Sequence, residues 1–552
     1  MAKSHTDGAG RGAKSVIFSI LGTLIFAGIY FYVALPPLNP RAGDFWFFIL
    51  LVLFVYMMLS LLSLGVRIGR DNARDLPRML KSTCKIPLIL AVVVLAVCAI
   101  GAIISATPFH AKGYYDLLDV QTGDFAADVA EISYNEIPML DKDSSIQLGR
   151  RALGSISADS NLVSQFEVAD AEYSQINYQG QPVRVAPLMY GNIIKWFNNR
   201  AQGLPGYIVV NMVTQEAKLV QLSEGMKYST AEHFGRNLYR TLRFQYPTMM
   251  FGDVNFEIDE NGTPWWVCSR LVKTIGLFGG TDTHGAVLVN AVTGESTYYE
   301  EVPNWVDRVY DADLLIQQYN YHGTLVNGWI NSWLGQKGIT TTTDGYNYIA
   351  LNDDVYLYTG VTSAGEDESN VGFILINQRT KDARYYNITG ATEYSAMSSA
   401  QGAVQHLNYT ATFPILLNIS DQPTYFMALK DSAELVKMYA MVDVSDYQIT
   451  ATGMSVAECQ RNYEALLQSN GISVNDAAKD DADSEEITGV ISEIRTAVVN
   501  GNTIFYFSLG EPTYYAVSAA DCQLAVTFNI GDRVTITYTP GEEAILSASN
   551  IR

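Results

Sequence analysis

Cysteine and histidine, which supply most metal ligands and many catalytic groups, are scarce in this sequence. Its 552 residues include five cysteines and six histidines, and none forms an H-E-x-x-H motif, a zinc spacing or a C-x-x-C pair. The sequence also lacks a Gly-x-Ser-x-Gly elbow, a Walker loop and a dinucleotide-binding fingerprint. These absences count against the familiar hydrolase, metalloenzyme and nucleotide-binding classes, and we expect neither a cofactor nor a metal ion.

The cysteine positions give no disulfide framework. Cys84 and Cys98 lie in or beside apolar stretches, whereas Cys268, Cys459 and Cys522 are far apart in the rest of the chain. One bridge among the last three remains an alternative, but buried free thiols are the expected state.

Basic residues are also few after residue 112, where the chain has 25 Lys and Arg against 53 Asp and Glu. So large an acidic excess argues against nucleic acid, or an anionic membrane surface, as the partner of this part. Solubility is the simplest role for the charge.

Charge is absent from three long apolar windows near the N-terminus: Val16–Leu35, Phe45–Val66 and Ile86–Thr107. Each is about 20 residues long, which lets a helix cross the hydrocarbon of a bilayer. Buried core helices are the alternative, and a cleaved signal peptide fits poorly because two more windows follow at once. The windows predict three membrane spans, and their lack of ionisable residues argues against a transporter.

The basic residues around these windows predict the orientation. Arg41 is the only basic residue between the first two spans, whereas six lie between the second and third: Arg67, Arg70, Arg74, Arg78, Lys81 and Lys85. The positive-inside rule then places the N-terminus in the cytoplasm and everything after about residue 112 outside it. We therefore expect a multi-pass protein of the cell membrane.

One signature occurs three times after the spans, in GYIVVNMVTQEAKLVQL, GAVLVNAVTGESTYYEE and GFILINQRTKDARYYNI. Each stretch has a buried-type strand, then Asn, Thr and an acid at fixed spacing, then a second strand. Asn and Thr are typical turn formers, so a duplicated hairpin is the favoured interpretation and a ligand role is the alternative. The triples are Asn211/Thr214/Glu216, Asn290/Thr293/Glu295 and Asn377/Thr380/Asp382.

A second hairpin precedes some copies, at 256–272 and 346–361, and a degenerate fourth unit at 411–442 has Lys430-Asp431 in place of the Asn turn. Helix-compatible runs follow several units, at 229–244, 303–321 and 455–471. In the last, Ser455 and Glu458 form a capping box and Gly471 suits a C-cap. Another helix is predicted near Asp143, capped by Ser144 or Ser145. The unit is thus hairpin, hairpin, helix.

The second copy, VLVNAVTGESTYYE, resembles the PepSY-type module, whose strand ends in an acid-x-x-Thr-Gly-Glu turn. Thr293, Gly294 and Glu295 match that turn, and Asn290 stands where Asp is usual. The resemblance implies an extracytoplasmic module that binds or restrains other proteins, including proteases. The whole chain resembles uncharacterised bacterial proteins that are anchored by several spans.

The tail after the acidic segment 473–486 has turns at Asn500-Gly501, Gly531-Asp532 and Pro540-Gly541, and predicts five or six strands. Its NIGDRVTITYT resembles the late strands of small OB-like barrels, which often bind oligonucleotides or sugars. With six acidic and three basic residues, the tail disfavours nucleic acid. A packing or interaction barrel is expected.

The most site-like stretch is GLFGGTDTHG (276–285), a glycine-rich loop in which Asp282 and His284 are candidates to share a proton or a metal. A wide connection between hairpins is the favoured alternative. Two acidic turns, Asp259-Glu260-Asn261 and Asn352-Asp353-Asp354, are weak candidates for calcium because neither has a full set of ligands.

The predicted fold class is an α-helical membrane anchor of three spans, then an α+β repeat ectodomain of antiparallel hairpins plus helices, then a small all-β OB-like barrel. The predicted segments are the anchor 1–112, a connector 113–160, repeats at 161–245, 246–325 and 326–472, the linker 473–486 and the barrel 487–552.

The predicted function is a membrane-anchored, non-enzymatic binding or scaffold protein of the cell envelope. Its expected partner is an envelope protein or a membrane complex, with no nucleic acid. The alternatives are an envelope hydrolase with its site at 276–285 and an accessory subunit of a membrane complex.

Overall fold

The computed structural model describes residues 6–63, 84–132, 137–156, 162–351, 353–363, 369–474, 485–499, 502–510, 513–518, 522–538 and 545–552. The chain divides into two compact units, Met1–Val474 and Asn475–Arg552. Most of the predicted acidic linker, and the predicted turns at 500–501 and 540–541, lie outside the described residues.

Three long helices open the first unit: α1 Thr6–Ala34, α2 Gly43–Ser63 and α3 Lys85–Ile104. The stretches Val16–Ala34, Gly43–Ser63 and Lys85–Ile104 are long and apolar enough to cross a membrane. The predicted apolar helices are thus confirmed and indicate membrane anchoring. Five of the six basic residues on which the predicted orientation depends fall in 64–83, outside the described residues, and the sixth, Lys85, begins α3.

The connection between α1 and α2 contacts the β-rich region that follows the anchor. Leu38 donates its backbone N–H to the carbonyl of Pro247 at 2.8 Å, and the Asn39 side chain donates to Thr248 O at 3.0 Å. Arg41 donates to the carbonyl of Lys273 at 2.6 Å. The connection and the β-rich region therefore lie on the same side of the anchor, as three spans require.

The predicted connector 113–160 is built into the β-rich region. Its strand β1 (Val120–Thr122) pairs in parallel with 383–385. Helix α4 (Lys142–Ile156) packs on the strands at 204–211 and 217–226. The α4 cap differs from the prediction, because Asp141 accepts the backbone N–H of Ser144 at 3.0 Å. The helix begins at Lys142, so Asp141 occupies the capping position rather than Ser144 or Ser145.

Sheets I and II are antiparallel. Sheet I has β2 and β3 side by side on β4, followed by β5 and β6, and sheet II is the meander β7–β8–β9–β10. The strands are β2 Phe166–Val168, β3 Ser174–Tyr178, β4 Gln181–Tyr190, β5 Leu204–Asn211, β6 Ala217–Met226, β7 Met250–Ile258, β8 Pro264–Ile275, β9 Gly279–Asn290 and β10 Ser296–Tyr299.

Sheet III runs β1–β16–β15–β13, with β11 and β12 both paired to β13, and sheet IV runs from β18 and β19 through β20 and β21 to β22. Strands β14 and β17 form a separate pair. The strands are β11 Thr340–Thr342, β12 Asn347–Leu351, β13 Asp354–Ser363, β14 Ser369–Asn370, β15 Gly372–Asn377, β16 Ala383–Tyr386, β17 Gly390–Ala391, β18 Thr410–Ala411, β19 Ile415–Ile419, β20 Gln422–Lys430, β21 Val436–Asp443 and β22 Thr450–Gly453.

The three Asn-x-x-Thr turns have the same hydrogen bonds. At Asn290 the side-chain oxygen accepts the N–H groups of Val292 and Thr293, each at 3.0 Å, and Asn211 and Asn377 make the equivalent bonds. The Thr hydroxyl then accepts the N–H of the acidic residue. The fourth residue after Asn has a positive φ in every copy, whether it is Gln215, Gly294 or Lys381. Asn and Thr therefore form the turn, and the glycine is replaceable.

Asp431 forms the corresponding turn of sheet IV, shorter by one residue. Its carboxylate accepts the N–H groups of Ala433 and Leu435, and Glu434 carries the positive φ.

The four sheets are joined in a closed cycle of contacts, I to II, II to III, III to IV and IV back to I, called here the ring. Sheets I and II share one hydrophobic core, and sheets III and IV contribute to another. Hydrophobic cores are therefore shared between sheets that follow one another in the chain. Sheets I and II are joined by the hydrogen bond from Tyr207 Oη to Gly262 O (2.7 Å), and sheets II and III by the ion pair of Lys381 Nζ with Asp282 Oδ1 (2.6 Å). Sheets III and IV are joined by the contact of the Phe373 and Tyr425 rings, whose centroids are 6.0 Å apart. Sheets IV and I are joined by the hydrogen bond from Gln215 Nε2 to Tyr439 Oη (2.6 Å).

The longer helices of this ring are α5 Ile193–Asn199, α6 Leu238–Gln245, α7 Ala312–Leu325, α8 Glu393–Ala403 and α9 Val456–Ser469. Short helices lie at Ala111–Tyr115, Phe125–Asp128, Leu162–Gln165 and Gly328–Ile330.

Two of these helices begin later than predicted. Asn237 accepts the N–H of Arg240, and Asp311 accepts the N–H of Leu314, so α6 and α7 start after these caps rather than near 229 and 303. The predicted ends of α9 are confirmed: Ser455 accepts the N–H of Glu458, and Gly471 has a φ of 81°.

Cys268, Cys459 and Cys522 are free and buried, as expected. Burial raises the pKa of the Cys268 thiol and raises that of Cys459 to about 12. These thiols are therefore protonated and act as small apolar groups in the cores.

The second unit is one sheet in the order β23–β27–β28–β26–β25–β24, in which β26 and β28 are parallel. Strands β23 and β24 are the two edge strands of this order, although only two residues separate them in the sequence. Gly531, in a predicted turn, has a φ of 101°. The strands are β23 Glu485–Val490, β24 Glu493–Val499, β25 Asn502–Ser508, β26 Tyr514–Ser518, β27 Arg533–Tyr538 and β28 Ile545–Ile551.

Candidate functional site

The predicted glycine-rich loop at 276–285 is mostly strand. Strand β8 ends at Ile275 and β9 starts at Gly279, so only Gly276, Leu277 and Phe278 form the tip of a hairpin. Gly276 and Gly280 have φ values of 58° and 61°, which allow the chain to reverse within these few residues. The glycines thus make a tight hairpin rather than a wide connection.

The hairpin tip docks on the third membrane helix. The Ser105 hydroxyl, just after α3, accepts the backbone N–H groups of Leu277 and Phe278, both at 2.9 Å. Gly101 lies beside the tip, and a Cβ there would come within 2.7 Å of both side chains. The stretch that looked most like a catalytic loop is therefore a contact between the β-rich region and its anchor.

Replacing Ser105 with alanine is expected to loosen this tip. The change leaves two backbone N–H groups without their acceptor, each worth about 0.5–1.5 kcal/mol. Hydrogen–deuterium exchange of the full chain in lipid nanodiscs should show faster exchange at 276–280. Ser155→Ala removes a hydroxyl that bonds only Ala152 O within α4 and serves as the control. Unchanged exchange at 276–280 in Ser105→Ala would contradict the docking role.

Asp282 and His284 have separate partners. The Asp282 carboxylate accepts from Lys381 Nζ at 2.6 Å and from Gln318 Nε2 at 3.0 Å, which ties sheet II to sheet III and to α7. His284 is half exposed, with Nε2 3.5 Å from the Glu300 carboxylate. In the part of the chain that the structure describes, no group of three or more His, Cys, Asp or Glu is placed to hold a metal ion.

The two acidic turns have their carboxylates engaged. Asp259 accepts from the N–H groups of Asn261 and Thr263 and from the Trp265 indole. Asp354 is paired with Arg379 at 2.6 Å. Asn352 lies outside the described residues. These carboxylates therefore hold the turns and neighbouring side chains in place.

A cavity of about 700 Å³ lies between sheets I, II and III. Its walls come from the start of α4, from β3, β7 and β12, and from residue 308, so that sheets I, II and III all contribute. Polar side chains and several tyrosines dominate the lining. A space of this size accommodates a small molecule or one group of a larger ligand.

Three cations face this cavity: Lys142, Arg184 and Arg308. None forms an ion pair with any residue within the described ranges. Burial lowers the pKa of Lys142, and the nearby positive charges of Arg184 and Arg308 lower it further. Burial also lowers the pKa of Arg184 to about 10. Three cations from distant segments are thus brought together here, and four acids, Asp141, Asp143, Glu172 and Asp253, also line the cavity.

Arg184 is buried in the middle of β4, and its guanidinium is only partly satisfied. One nitrogen donates to Gln175 Oε1 at 2.9 Å, while Nε is buried without a hydrogen-bond partner. Buried polar atoms are nearly always bonded, so an unpaired guanidinium nitrogen at a cavity wall suits an acceptor from a ligand.

Arg308 is held in position by its backbone. The buried carboxylate of Glu257 accepts the N–H groups of Asp307 and Arg308, at 2.9 and 3.0 Å. The guanidinium lies over the Tyr348 ring, 4.6 Å from its centroid, and also donates to the Tyr348 hydroxyl at 2.8 Å. Its Nε is buried and unpaired, as in Arg184.

Within the described ranges, none of the four acids around the cavity forms an ion pair with these three cations. Asp141 is paired with Lys430 at 2.7 Å. Burial raises the pKa of Glu172, and a hydrogen bond with Asp311 raises the pKa of Asp253 to about 6. Both carboxyls therefore become neutral more readily than exposed acids as the pH falls, which leaves the cavity more positive.

Sequence reasoning missed these residues because they come from three distant segments and share no motif. One signal was present: Arg184 is the only charge in the strand QPVRVAPLMY. A lone arginine in a buried strand marks a place where the fold must supply a partner for a charge.

No protein-family model matches the chain, and no curated protein matches it. Among solved structures, a point mutant of B. megaterium levansucrase is similar at 9% identity with a TM-score of 0.18, over 77% of this chain and 98% of that one. Bacillus subtilis levansucrase gives 7% and 0.16, over 76% and 96%. A polysaccharide lyase acting on ulvan gives 10% and 0.14, over 51% of each chain. Scores this low carry no argument about fold or activity.

Proposed function

We propose that this chain is a membrane-anchored, extracytoplasmic binding protein that captures an acidic group of an envelope component in the cavity between sheets I, II and III, without catalysis. The observation that carries this is the cluster of Lys142, Arg184 and Arg308, three cations without an ion pair among the described residues. Carboxylates and phosphates are the ligands that such a cluster binds best.

Two further features support a role in binding. The shared hydrogen bonds of the three Asn-x-x-Thr turns are compatible with PepSY-like repeats, whose relatives bind proteins. In the second unit, the parallel pairing of β26 with β28 and the placement of β23 and β24 at opposite ends of the order support an OB-like barrel. Both features are typical of interaction modules.

The hydrolase alternative has lost its main support, because Asp282 is bonded to Lys381 and Gln318 rather than to His284. The accessory-subunit alternative stays open to the same purification that tests the proposal. A stoichiometric membrane protein that remains bound in mild detergent would favour it.

The double variant Lys142→Met with Arg308→Met should lose binding of acidic ligands. Each charge-assisted bond contributes about 1.5–3 kcal/mol, so the apparent affinity should fall at least about tenfold for each cation removed. Thermal unfolding of the full chain in detergent should be measured with three acidic probes: inorganic diphosphate, an oligogalacturonate and a Glu-rich peptide. At least one should raise the midpoint of the wild type and leave that of the variant unchanged.

The matched control is Lys112→Met with Lys437→Met, two more exposed lysines paired with Asp116 and Asp431 outside the cavity. This control should retain the wild-type response. An equal response in the cavity variant, or equal stabilisation by a neutral oligogalactose, would contradict an anion-binding cavity.

A further inference from the structure

Three surface segments carry large apolar side chains that no part of the described chain covers. They are residues 192–202, 233–245 and 326–338, called here the base segments. Their exposed apolar residues are Ile193, Ile194, Phe197, Phe234, Phe244, Val326, Trp329, Ile330, Trp333 and Leu334. Apolar exposure this dense is unusual on a surface that faces only water.

The base segments also differ in charge from the rest of the chain. They contain six basic residues and no Asp or Glu, whereas the whole chain has 36 basic and 57 acidic residues. The basic residues are Lys195, Arg200, Arg236, Arg240, Arg243 and Lys337. Basic and aromatic side chains without acids are typical of segments at the interface of an anionic membrane.

One base segment is joined directly to the end of α1. The Phe244 ring contacts Phe31 edge-on with centroids 5.7 Å apart, and the Arg240 guanidinium lies 4.3 Å from the Tyr32 ring. Arg243 donates to the carbonyl of Leu35 at 2.9 Å. Segment 233–245 therefore lies at the level where the first apolar helix ends.

The neighbouring base segment lies at the same place. Arg240 also donates to the carbonyl of Phe234 at 2.7 Å, and the Phe234 ring is 5.8 Å from Trp196. Arg236 donates to Arg200 O at 2.5 Å. These contacts join 192–202 to 233–245 in one surface next to α1.

The third base segment lies beside α3. Its short helix Gly328–Ile330 packs on Thr107–Phe109, the turn that directly follows this apolar helix. Phe109 is itself exposed, and the rings of Trp329 and Trp333 are stacked 6.4 Å apart. Exposed aromatic and aliphatic side chains thus continue outward from the ends of two membrane helices.

We infer that the base segments lie in the interfacial layer of the bilayer that holds α1–α3. Their apolar side chains lie among the acyl chains, and their basic side chains, except the buried Arg243, lie at anionic phospholipid headgroups. This inference differs from the expectation, drawn from the net acidic charge, that the part after residue 112 avoids an anionic surface. The acidic residues are elsewhere, and the charge beside the anchor is positive. The β-rich ring is therefore seated on the membrane, which goes beyond the proposed binding in its cavity.

Photocrosslinking tests this seating. The full chain carries p-benzoylphenylalanine at Ile194, Phe234 or Trp333, one at a time, in vesicles of phosphatidylcholine with phosphatidylglycerol. Irradiation followed by mass spectrometry should give a phospholipid adduct at each of the three positions. Met454 is the matched control, because it is a large, equally exposed apolar residue (58%) outside the base segments, and it should give none.

The contact with anionic headgroups is tested by the double variant Lys195→Gln with Lys337→Gln. This variant should lower the share of phosphatidylglycerol among the lipid adducts. An unchanged share would overturn the headgroup contact. Absence of lipid adducts at all three positions would overturn the seating. Adducts to a protein instead of lipid in native membranes would also overturn it, because a protein partner would then cover this surface.

Discussion

Replacing Trp266 with alanine is expected to lower the free energy of unfolding of the ring by about 3–5 kcal/mol. Trp266 is fully buried in the core that sheets I and II share. Its ring packs against Phe256 with centroids 5.3 Å apart, and its indole donates to the carbonyl of Tyr228 at 3.0 Å. The change removes the largest fully buried side chain and leaves a carbonyl without its donor.

Chemical denaturation in detergent, followed by tryptophan fluorescence, measures this effect. All seven tryptophans precede residue 475, so the signal reports on the first unit alone. Trp266→Phe should cost less than half as much, since most of the volume is kept. Tyr447→Ala, at a half-exposed tyrosine, should change the free energy by less than about 0.5 kcal/mol. A loss at Trp266 no larger than that at Tyr447 would contradict a core shared by two sheets.

The features that sequence predicted well are those set by neighbouring residues. An uncharged run of about 20 residues has few alternatives to a long apolar helix, and the three helices form as predicted. The Asn-x-x-Thr turns depend on side chains that bond the backbone two and three residues later, as at Asn290. Such contacts are fully encoded in a few adjacent positions.

The closing of the ring could not be predicted in the same way. It depends on contacts such as Gln215 with Tyr439, which are 224 residues apart, and Lys381 with Asp282, 99 residues apart. Helix starts failed for a related reason, because Asn237 and Asp311 were not recognised as caps within polar runs. Long-range pairing decides which of several compatible local patterns is used.

The cavity also depends on contacts between residues that are far apart in the sequence. Lys142 and Arg308 lie in ordinary polar stretches, and only the fold brings them to Arg184. Conversely, the glycines of 276–285 looked functional because they were clustered, and the structure uses them to bring a hairpin tip to Ser105. Local composition shows where the chain turns, whereas the site depends on charges that the fold leaves without partners.

The stability of the ring should fall as the pH rises through the range where the buried pair Glu257 and Asp307 titrates. Glu257 is fully buried in β7, and burial raises its pKa to about 7 from an ordinary 4.5. Asp307 is also buried, and burial together with the charge of Glu257 raises its pKa well above the usual value. Both carboxyls accept backbone N–H groups, and the charge of Arg308 acts in the opposite direction on Glu257.

The sign follows from proton uptake. The folded chain holds the proton of Glu257 more tightly than the unfolded chain, so this stabilisation is complete below about pH 4.5 and is lost as the pH rises to about 7. Replacing Glu257 with glutamine, which does not titrate, should flatten this part of the pH profile.

Denaturation of the full chain in detergent between about pH 5 and about pH 8 tests the linkage. Wild type and the exposed control Glu260→Gln should lose stability across this range, whereas Glu257→Gln should lose much less. The comparison uses slopes, so a constant cost of the glutamine does not affect it. Parallel profiles for Glu257→Gln and Glu260→Gln would show that Glu257 is already ionised in the fold. The hydrogen bonds from the N–H groups of Asp307 and Arg308 would then outweigh the cost of burying the charge. The Glu257 carboxylate, which positions Arg308 at the cavity, would stay charged at every physiological pH.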